Sequence, residues 1–115
     1  MSGFQVNVGS VTTDATILTG NTVTDIIEAD LGTMTVTHID IANQTGVAVT
    51  VTIDRYDGTT AWRLCYQKSV PANDTIQISG TVVQNGQKLR ATSGDASGNL
   101  HIHVHHTLGT KAGGG

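Results

Sequence analysis

The clearest pattern in the chain is a strict alternation of apolar and polar positions within short runs. The run from Val47 to Ile53 places an aliphatic residue at every second position, with Ala48, Thr50 and Thr52 between them. Because successive side chains of a β-strand point to opposite faces, this run predicts a strand with one buried and one polar face. Val47 is expected to be the first of its buried residues.

Similar runs recur along the chain, separated by Gly, Asn and Asp, which favour turns. About eight such strands, with no convincing helical pattern, predict an all-β fold: one antiparallel β-sandwich or jelly-roll-like domain. We expect this domain at residues 11–108. An N-terminal arm or edge strand is expected at residues 1–10, and a flexible glycine-rich tail at residues 109–115.

Three local features refine the prediction. The apolar positions between Thr33 and Asn43 change parity, and one extra residue near Thr37-His38 would restore a single buried face, which predicts a β-bulge. Asp57-Gly58 predicts a hairpin turn, because glycine accepts the positive φ that tight hairpins require. Asn85-Gly86 predicts a second hairpin-type turn.

Charge and composition exclude several classes of partner. The net charge is −3 with only six Lys and Arg, and aromatic residues make up 3% of the chain, which argues against nucleic acid. No apolar run approaches membrane-spanning length and no secretory leader pattern is present, so we expect no membrane partner and synthesis in a cytoplasm. The single cysteine, Cys65, has no partner for an internal disulfide.

The histidines of the last predicted strand are candidates for metal binding or for a pH-dependent contact. His101, His103 and His105 alternate with apolar residues, so their imidazoles are expected on one face of the last strand. Two of them could share a metal ion, completed by His38 or an aspartate, or a symmetric trimer could bring one from each subunit to its axis. A pH-responsive contact or an ordinary polar face would also account for the pattern. We favour the polar face and therefore expect no metal and no cofactor.

The sequence offers no catalytic constellation. Asp54, Asp57, Asp74 and Asp95 lie in or near turns, where aspartate commonly bonds its own backbone. No phosphate-binding loop, nucleophile elbow or zinc-protease motif is present. We therefore expect a protein that is not an enzyme, with no catalytic residues.

The aromatic residues raise a question of burial. Trp62 and Tyr66 share a strand face with Leu64, and such a face is expected to be part of the core or of a subunit interface. The alternative is an exposed platform that binds sugar. Together with Phe4 and Val6 in the predicted arm, Trp62 and Tyr66 are the interface candidates.

Five segments follow one another between about Val36 and Val104: Val36-Thr-His-Ile-Asp-Ile-Ala-Asn43, Gly46-Val-Ala-Val-Thr-Val-Thr-Ile53, Tyr56-Asp-Gly-Thr59, Ser69-Val-Pro-Ala-Asn73 and Asn85-Gly-Gln-Lys-Leu-Arg-Ala91. In these segments and their order, the chain resembles small β-sandwich structural proteins of tailed bacteriophages. In that family a strand ending in Ala-Asn precedes a turn and an Ala-Val-Thr-Val strand, and an "ipa-n-t" loop and an "n-Gly-d-x-Leu/Ile-arg" segment follow a hairpin. This chain departs from the pattern at Gln87, where an acidic residue is usual, and in its histidine-bearing last strand.

The resemblance implies a virion component made in the cytoplasm of the bacterial host. Its expected role is head decoration or cement, or a neck-associated position, where it stabilises the particle through contacts with capsid, neck or tail proteins. A homo-oligomer such as a trimer would suit that role. The alternative is a tail or spike module that binds a glycan or host receptor.

Overall fold

The computed structural model of the chain describes residues 11–30, 32–95 and 97–107. The predicted arm at 1–10, with Phe4 and Val6, and the tail at 109–115 lie outside these residues. Eight strands follow one another: β1 Val11–Leu18, β2 Thr24–Glu28, β3 Met34–Asn43, β4 Val49–Tyr56, β5 Ala61–Val70, β6 Thr75–Val83, β7 Lys88–Ser93 and β8 Leu100–Thr107.

The strands form two antiparallel four-stranded sheets that pack face to face. Sheet A has the order β1-β8-β3-β6, and sheet B has the order β2-β7-β4-β5. The first strand therefore pairs with the eighth, the second with the seventh, the third with the sixth and the fourth with the fifth. This nested pairing across two sheets is the topology of a jelly roll. The predicted all-β sandwich is confirmed.

The space between the sheets is filled by aliphatic side chains. Alternate residues of each central strand point inward, as in the buried pattern of β8, where every second residue is fully enclosed. The buried hydrophobic residues among those described are Leu18, Ile27, Ala29, Met34, Val36, Ile39, Ile41, Val49, Val51, Ile53, Val70, Val83, Leu89, Ala91, Leu100, Ile102 and Val104.

The predicted bulge in β3 is present. The register of β3 against β8 shifts between Val36 and His38, so that Val36 and Ile39, which have opposite parity, are both buried. On the other side of β3, Gly80 of β6 approaches so closely that a Cβ atom there would overlap the carbonyl oxygen of Val36. The bulge therefore depends on glycine at this position of the neighbouring strand.

Two predictions about turns and one about burial have different outcomes. Gly58 has a φ of 99° in the loop that joins β4 to β5 within sheet B, so the predicted hairpin is confirmed. Gly86 also has a positive φ, of 89°, but its turn joins β6 of sheet A to β7 of sheet B and is not a hairpin. Val47 is 64% exposed because β4 begins only at Val49, so its predicted burial is wrong.

Asn43, at the end of β3, forms side-chain hydrogen bonds to the β3–β4 loop and to the end of β5. Its side chain is buried, and its Nδ2 donates to the carbonyl oxygens of Val47 and Val70 at 2.8 and 3.0 Å. Its Oδ1 accepts a hydrogen bond from the backbone N–H of Thr45 at 2.9 Å. This single amide therefore satisfies backbone groups from the β3–β4 loop and from the end of β5.

Candidate functional site

The outer face of sheet A brings together polar side chains that are far apart in sequence. The register pairs Thr13 of β1 with His105 of β8, and His105 with His38 of β3. The next row pairs His103 with Asp40, and Asp40 with Gln77 of β6. His38 and Asp40 share one face because they are two residues apart in the regular part of β3, which begins after the bulge between Val36 and His38.

Three of these residues form the histidine cluster, which we define as His38, Asp40 and His105. His105 Nε2 lies 2.9 Å from Asp40 Oδ2, and His38 Nε2 lies 3.6 Å from the same oxygen. The two imidazole rings stack with centroids 4.2 Å apart and an interplanar angle of 26°. One ligand atom from each of the three residues lies within 4.8 Å of the other two, and all three side chains are partly exposed.

Neighbouring side chains orient each member of the histidine cluster. Gln77 Nε2 donates to Asp40 Oδ1 at 3.3 Å, which leaves Oδ2 directed at the histidines. On the opposite sides of the two rings, Thr13 Oγ1 lies 2.8 Å from His105 Nδ1, and Thr37 Oγ1 lies 3.4 Å from His38 Nδ1. Both Nε2 atoms therefore point toward the carboxylate.

The carboxylate of Asp40 stays ionised in this setting. Partial burial acts to raise its pKa, but hydrogen bonds from His105 and Gln77 and the charges of the two histidines outweigh that effect, so the pKa lies below its ordinary value. An ionised carboxylate beside two imidazole nitrogens is a set of oxygen and nitrogen ligands that divalent transition metals accept.

Of the three histidines that the sequence singled out on β8, one belongs to the histidine cluster and two lie outside it. His101, His103 and His105 do lie on one face of β8, but only His105 belongs to the histidine cluster among the described residues. His101 stands opposite Ala42, one row away from Asp40. Asp40 could not be singled out from the sequence, because its selection depends on the pairing of β3 with β8, strands separated by most of the domain.

Sequence reasoning also missed His106, which points the other way. It is 2% exposed, and its Nε2 lies 2.6 Å from Asp14 Oδ2 on β1. The signal for it was the doubled histidine at 105–106, where the alternation of β8 must place the second imidazole inward. His106 is therefore buried on the inner face of sheet A, on the side of β8 opposite His105.

The aromatic residues of β5 are exposed. Trp62 and Tyr66 are 52% and 59% accessible, so the expectation that they fill the core is wrong, while the roles of subunit interface and sugar platform stay predictions. Trp62 Nε1 donates to Asp57 Oδ2 at 3.0 Å, and the Arg63 guanidinium lies 4.3 Å from the centre of the Tyr66 ring. Both rings are thereby held in place on the surface of an edge strand. The register of β5 against β4 shifts between Trp62, which pairs with Arg55, and Cys65, which pairs with Ile53, so the predicted common strand face of Trp62 and Tyr66 is wrong.

A groove lies between the edge strands β5 and β6. It encloses about 430 Å³ and is lined in part by Leu64, Cys65 and Ile78, which also pack against the core. Burial raises the pKa of the Cys65 thiol, which keeps it protonated and favours a packing role. We call Trp62 and Tyr66 of β5 the aromatic edge.

The outer face of sheet B carries a different pattern, a row of alternating charge across all four strands. The register places Asp25, Arg90, Asp54 and Arg63 side by side. Asp54 is buried inside β4 and accepts a hydrogen bond from Arg90 Nε at 3.0 Å, while the Arg90 guanidinium lies 3.8 Å from the centre of the Tyr56 ring. The turn role expected for Asp54 is therefore wrong.

The other three aspartates of that set do bond turn backbone. Asp57 Oδ1 accepts from the N–H groups of Thr60 and Thr59 at 2.7 and 2.9 Å. The bond from Thr60, then those from the Trp62 indole and Thr59, lower the pKa of Asp57 to about 2. Asp74 and Asp95 likewise accept from backbone N–H groups one and two residues further on. Their predicted structural role is confirmed.

Comparison of the chain with models of protein families, with curated proteins and with solved structures gave no match. Within the described residues no helix has the length and apolar character needed to cross a membrane.

Proposed function

We propose that the protein is a structural protein of a bacteriophage virion, a head decoration or cement subunit or a neck-associated subunit. The observation that carries the proposal is the ordered resemblance of residues 36–104 to small phage structural proteins, now joined to a jelly-roll topology. Jelly rolls are a recurrent architecture of viral capsid domains, so fold and sequence favour the same class of protein.

The aromatic edge supplies a surface suited to this role. It lies on β5, an outermost strand of sheet B, whose free backbone groups can pair with a strand of a neighbouring protein. Trp62 and Tyr66 add apolar area, and aromatic residues of this kind often dominate the energy of an interface. Each copy would bury a modest area on capsid, neck or tail proteins, and repetition over a symmetric lattice would multiply its effect.

The test begins with particles purified from the bacterial lysate in which the gene is expressed. Immunogold labelling and mass spectrometry of these particles should find the protein at a regular position and in many copies. Its absence from particles that are otherwise complete would overturn the proposal. Light scattering of the purified protein then decides between a pre-formed oligomer such as a trimer and a subunit that associates only on the particle.

A pair of variants tests the aromatic edge itself. Trp62→Ser combined with Tyr66→Ser should reduce particle occupancy at least about tenfold, since aromatic anchors typically contribute about 2 kcal/mol or more each to binding. Val47→Ser removes an equally exposed apolar side chain from the β3–β4 loop and is the matched control. Equal occupancy by the two variants would show that the contact lies elsewhere.

The exposure of Trp62 also favours a second candidate, a tail or spike module that binds a glycan or host receptor. An exposed indole on a sheet edge can stack on a sugar ring. Binding of the isolated protein to an array of bacterial surface glycans, lost on Trp62→Ser, would support this candidate over decoration. Particle association without glycan binding would support the first.

A further inference from the structure

We propose that His38, Asp40 and His105 together bind one divalent transition-metal ion on the outer face of sheet A. The proposal is independent of the virion role, because these residues lie on the opposite sheet from the aromatic edge. The ion would be held by His38 Nε2, His105 Nε2 and Asp40 Oδ2.

The first argument is the separation of the ligand atoms. Zinc bonds of about 2.0–2.1 Å arranged tetrahedrally place neighbouring ligand atoms about 3.3 Å apart. The two separations from Asp40 Oδ2, 2.9 Å to His105 and 3.6 Å to His38, lie on either side of that value. Because the His38 side chain is partly exposed, a small rotation of its ring can adjust the longer separation.

The second argument is that every ligand already has an outer partner. When a histidine binds metal through Nε2, its Nδ1 carries the proton and donates it to an oxygen behind the ring. Thr13 Oγ1 stands behind His105 in that position, and Thr37 Oγ1 stands behind His38. Thr37 directs its own hydroxyl proton to the His105 carbonyl oxygen at 3.0 Å, so its oxygen remains free to accept.

The chemistry of the donors selects the class of ion. Two imidazole nitrogens and one carboxylate suit Zn²⁺, Ni²⁺, Co²⁺ or Cu²⁺, whereas Mg²⁺ and Ca²⁺ require oxygen ligands. The partial exposure of all three side chains leaves the remaining coordination position to water. The competing explanation is a hydrogen bond between His105 and Asp40 with a stacked His38 and no affinity for metal.

Isothermal titration of the full chain, without an added histidine tag and after treatment with a chelator, separates the two explanations. ZnCl₂ should bind with a stoichiometry of one, and MgCl₂ under the same conditions should not bind. Asp40→Asn and His105→Gln should each weaken zinc binding about 100-fold or more, because loss of an outer partner alone costs about 10–100-fold. Absence of saturable zinc binding would overturn the proposal.

The control is His101→Gln, which removes an imidazole from the same face of β8 outside the histidine cluster. It should bind zinc within about threefold of the parent. If it weakened binding as much as His105→Gln, the ion would be bound by the histidines of β8 in general, and the site proposed would be wrong. Thermal melts of the chelator-treated variants establish that each is folded.

Two further measurements test the assignment of atoms. Long-range ¹H–¹⁵N spectra of the imidazoles should show zinc-dependent changes at Nε2 of His38 and His105 but not of His101. Thr13→Val, a change in a positioning residue, should weaken binding about 10–100-fold while leaving the stoichiometry at one. Unchanged affinity in this variant together with unchanged His38 and His105 signals would contradict the proposed coordination.

Discussion

Replacing Asn43 by alanine should lower the free energy of unfolding by more than the loss of a small side chain would suggest, because the Asn43 amide bonds several backbone groups. The substitution leaves the buried carbonyl oxygen of Val70 without its partner, at a cost of about 1–3 kcal/mol. It also removes the bonds to the Val47 carbonyl and the Thr45 N–H, each contributing about 0.5–1.5 kcal/mol at their partly buried positions. The expected loss in free energy of unfolding is therefore about 4 kcal/mol.

Urea denaturation measures this loss directly. With a slope of about 1.5 kcal/mol per molar urea, a loss of about 4 kcal/mol lowers the midpoint by about 2.5 M. Gln44→Ala, at the exposed neighbouring position, is the matched control and should change the free energy of unfolding by no more than about 0.5 kcal/mol.

A third variant tests the cause of the effect. Asn43→Asp keeps the size and the Oδ1 acceptor but replaces the donating amide by an oxygen that faces carbonyl oxygens. It should destabilise at least as much as Asn43→Ala at pH 7. A midpoint within about 0.5 M of the parent for Asn43→Ala would refute the reasoning, since it would mean that water replaces the amide at no cost.

Three other predictions follow from the described contacts. Gly80→Ala should lower the free energy of unfolding by about 1–3 kcal/mol, because its methyl group meets the backbone oxygen of Val36, whereas Gly46→Ala, in open space, should be nearly neutral by urea denaturation. The low pKa of Asp57 stabilises the folded state above about pH 4, and this contribution should disappear as the pH falls through about 2; Asp57→Asn should lack this acid-dependent step in thermal melts. Acrylamide should quench the fluorescence of Trp62 strongly in the native state, and weak quenching would contradict its exposure.

Local features of the fold were predictable where a single strand contains the signal. The β3 bulge followed from the parity of Val36 and Ile39 alone, and the β4–β5 hairpin followed from Gly58. Features that depend on strand pairing were not predictable, because alternation states which face is buried but not which strand lies beside it. The Asn85-Gly86 turn was mistaken for a hairpin for this reason.

In the candidate site, too, features within one strand were predictable and features that depend on strand pairing were not. The common face of His101, His103 and His105 was predictable from β8, but selection of His105 with Asp40 required the β3–β8 register. The exposure of Trp62 and Tyr66 escaped prediction for a different reason. Aromatic residues were expected to supply most of the buried area, yet aliphatic residues fill the described core.

The nested pairing of the strands has a consequence for biosynthesis. β8 lies in the middle of sheet A, between β1 and β3, although the other seven described strands precede it in the chain. During translation β1 therefore lacks the partner strand described for it in sheet A until β8 leaves the ribosome. Among the described strands, only β4 and β5 can pair early as a hairpin of neighbouring residues, and the pairing of β1 with β8 closes the longest loop between them. Nascent chains stalled before β8 should accordingly be sensitive to protease, and released chains should be resistant.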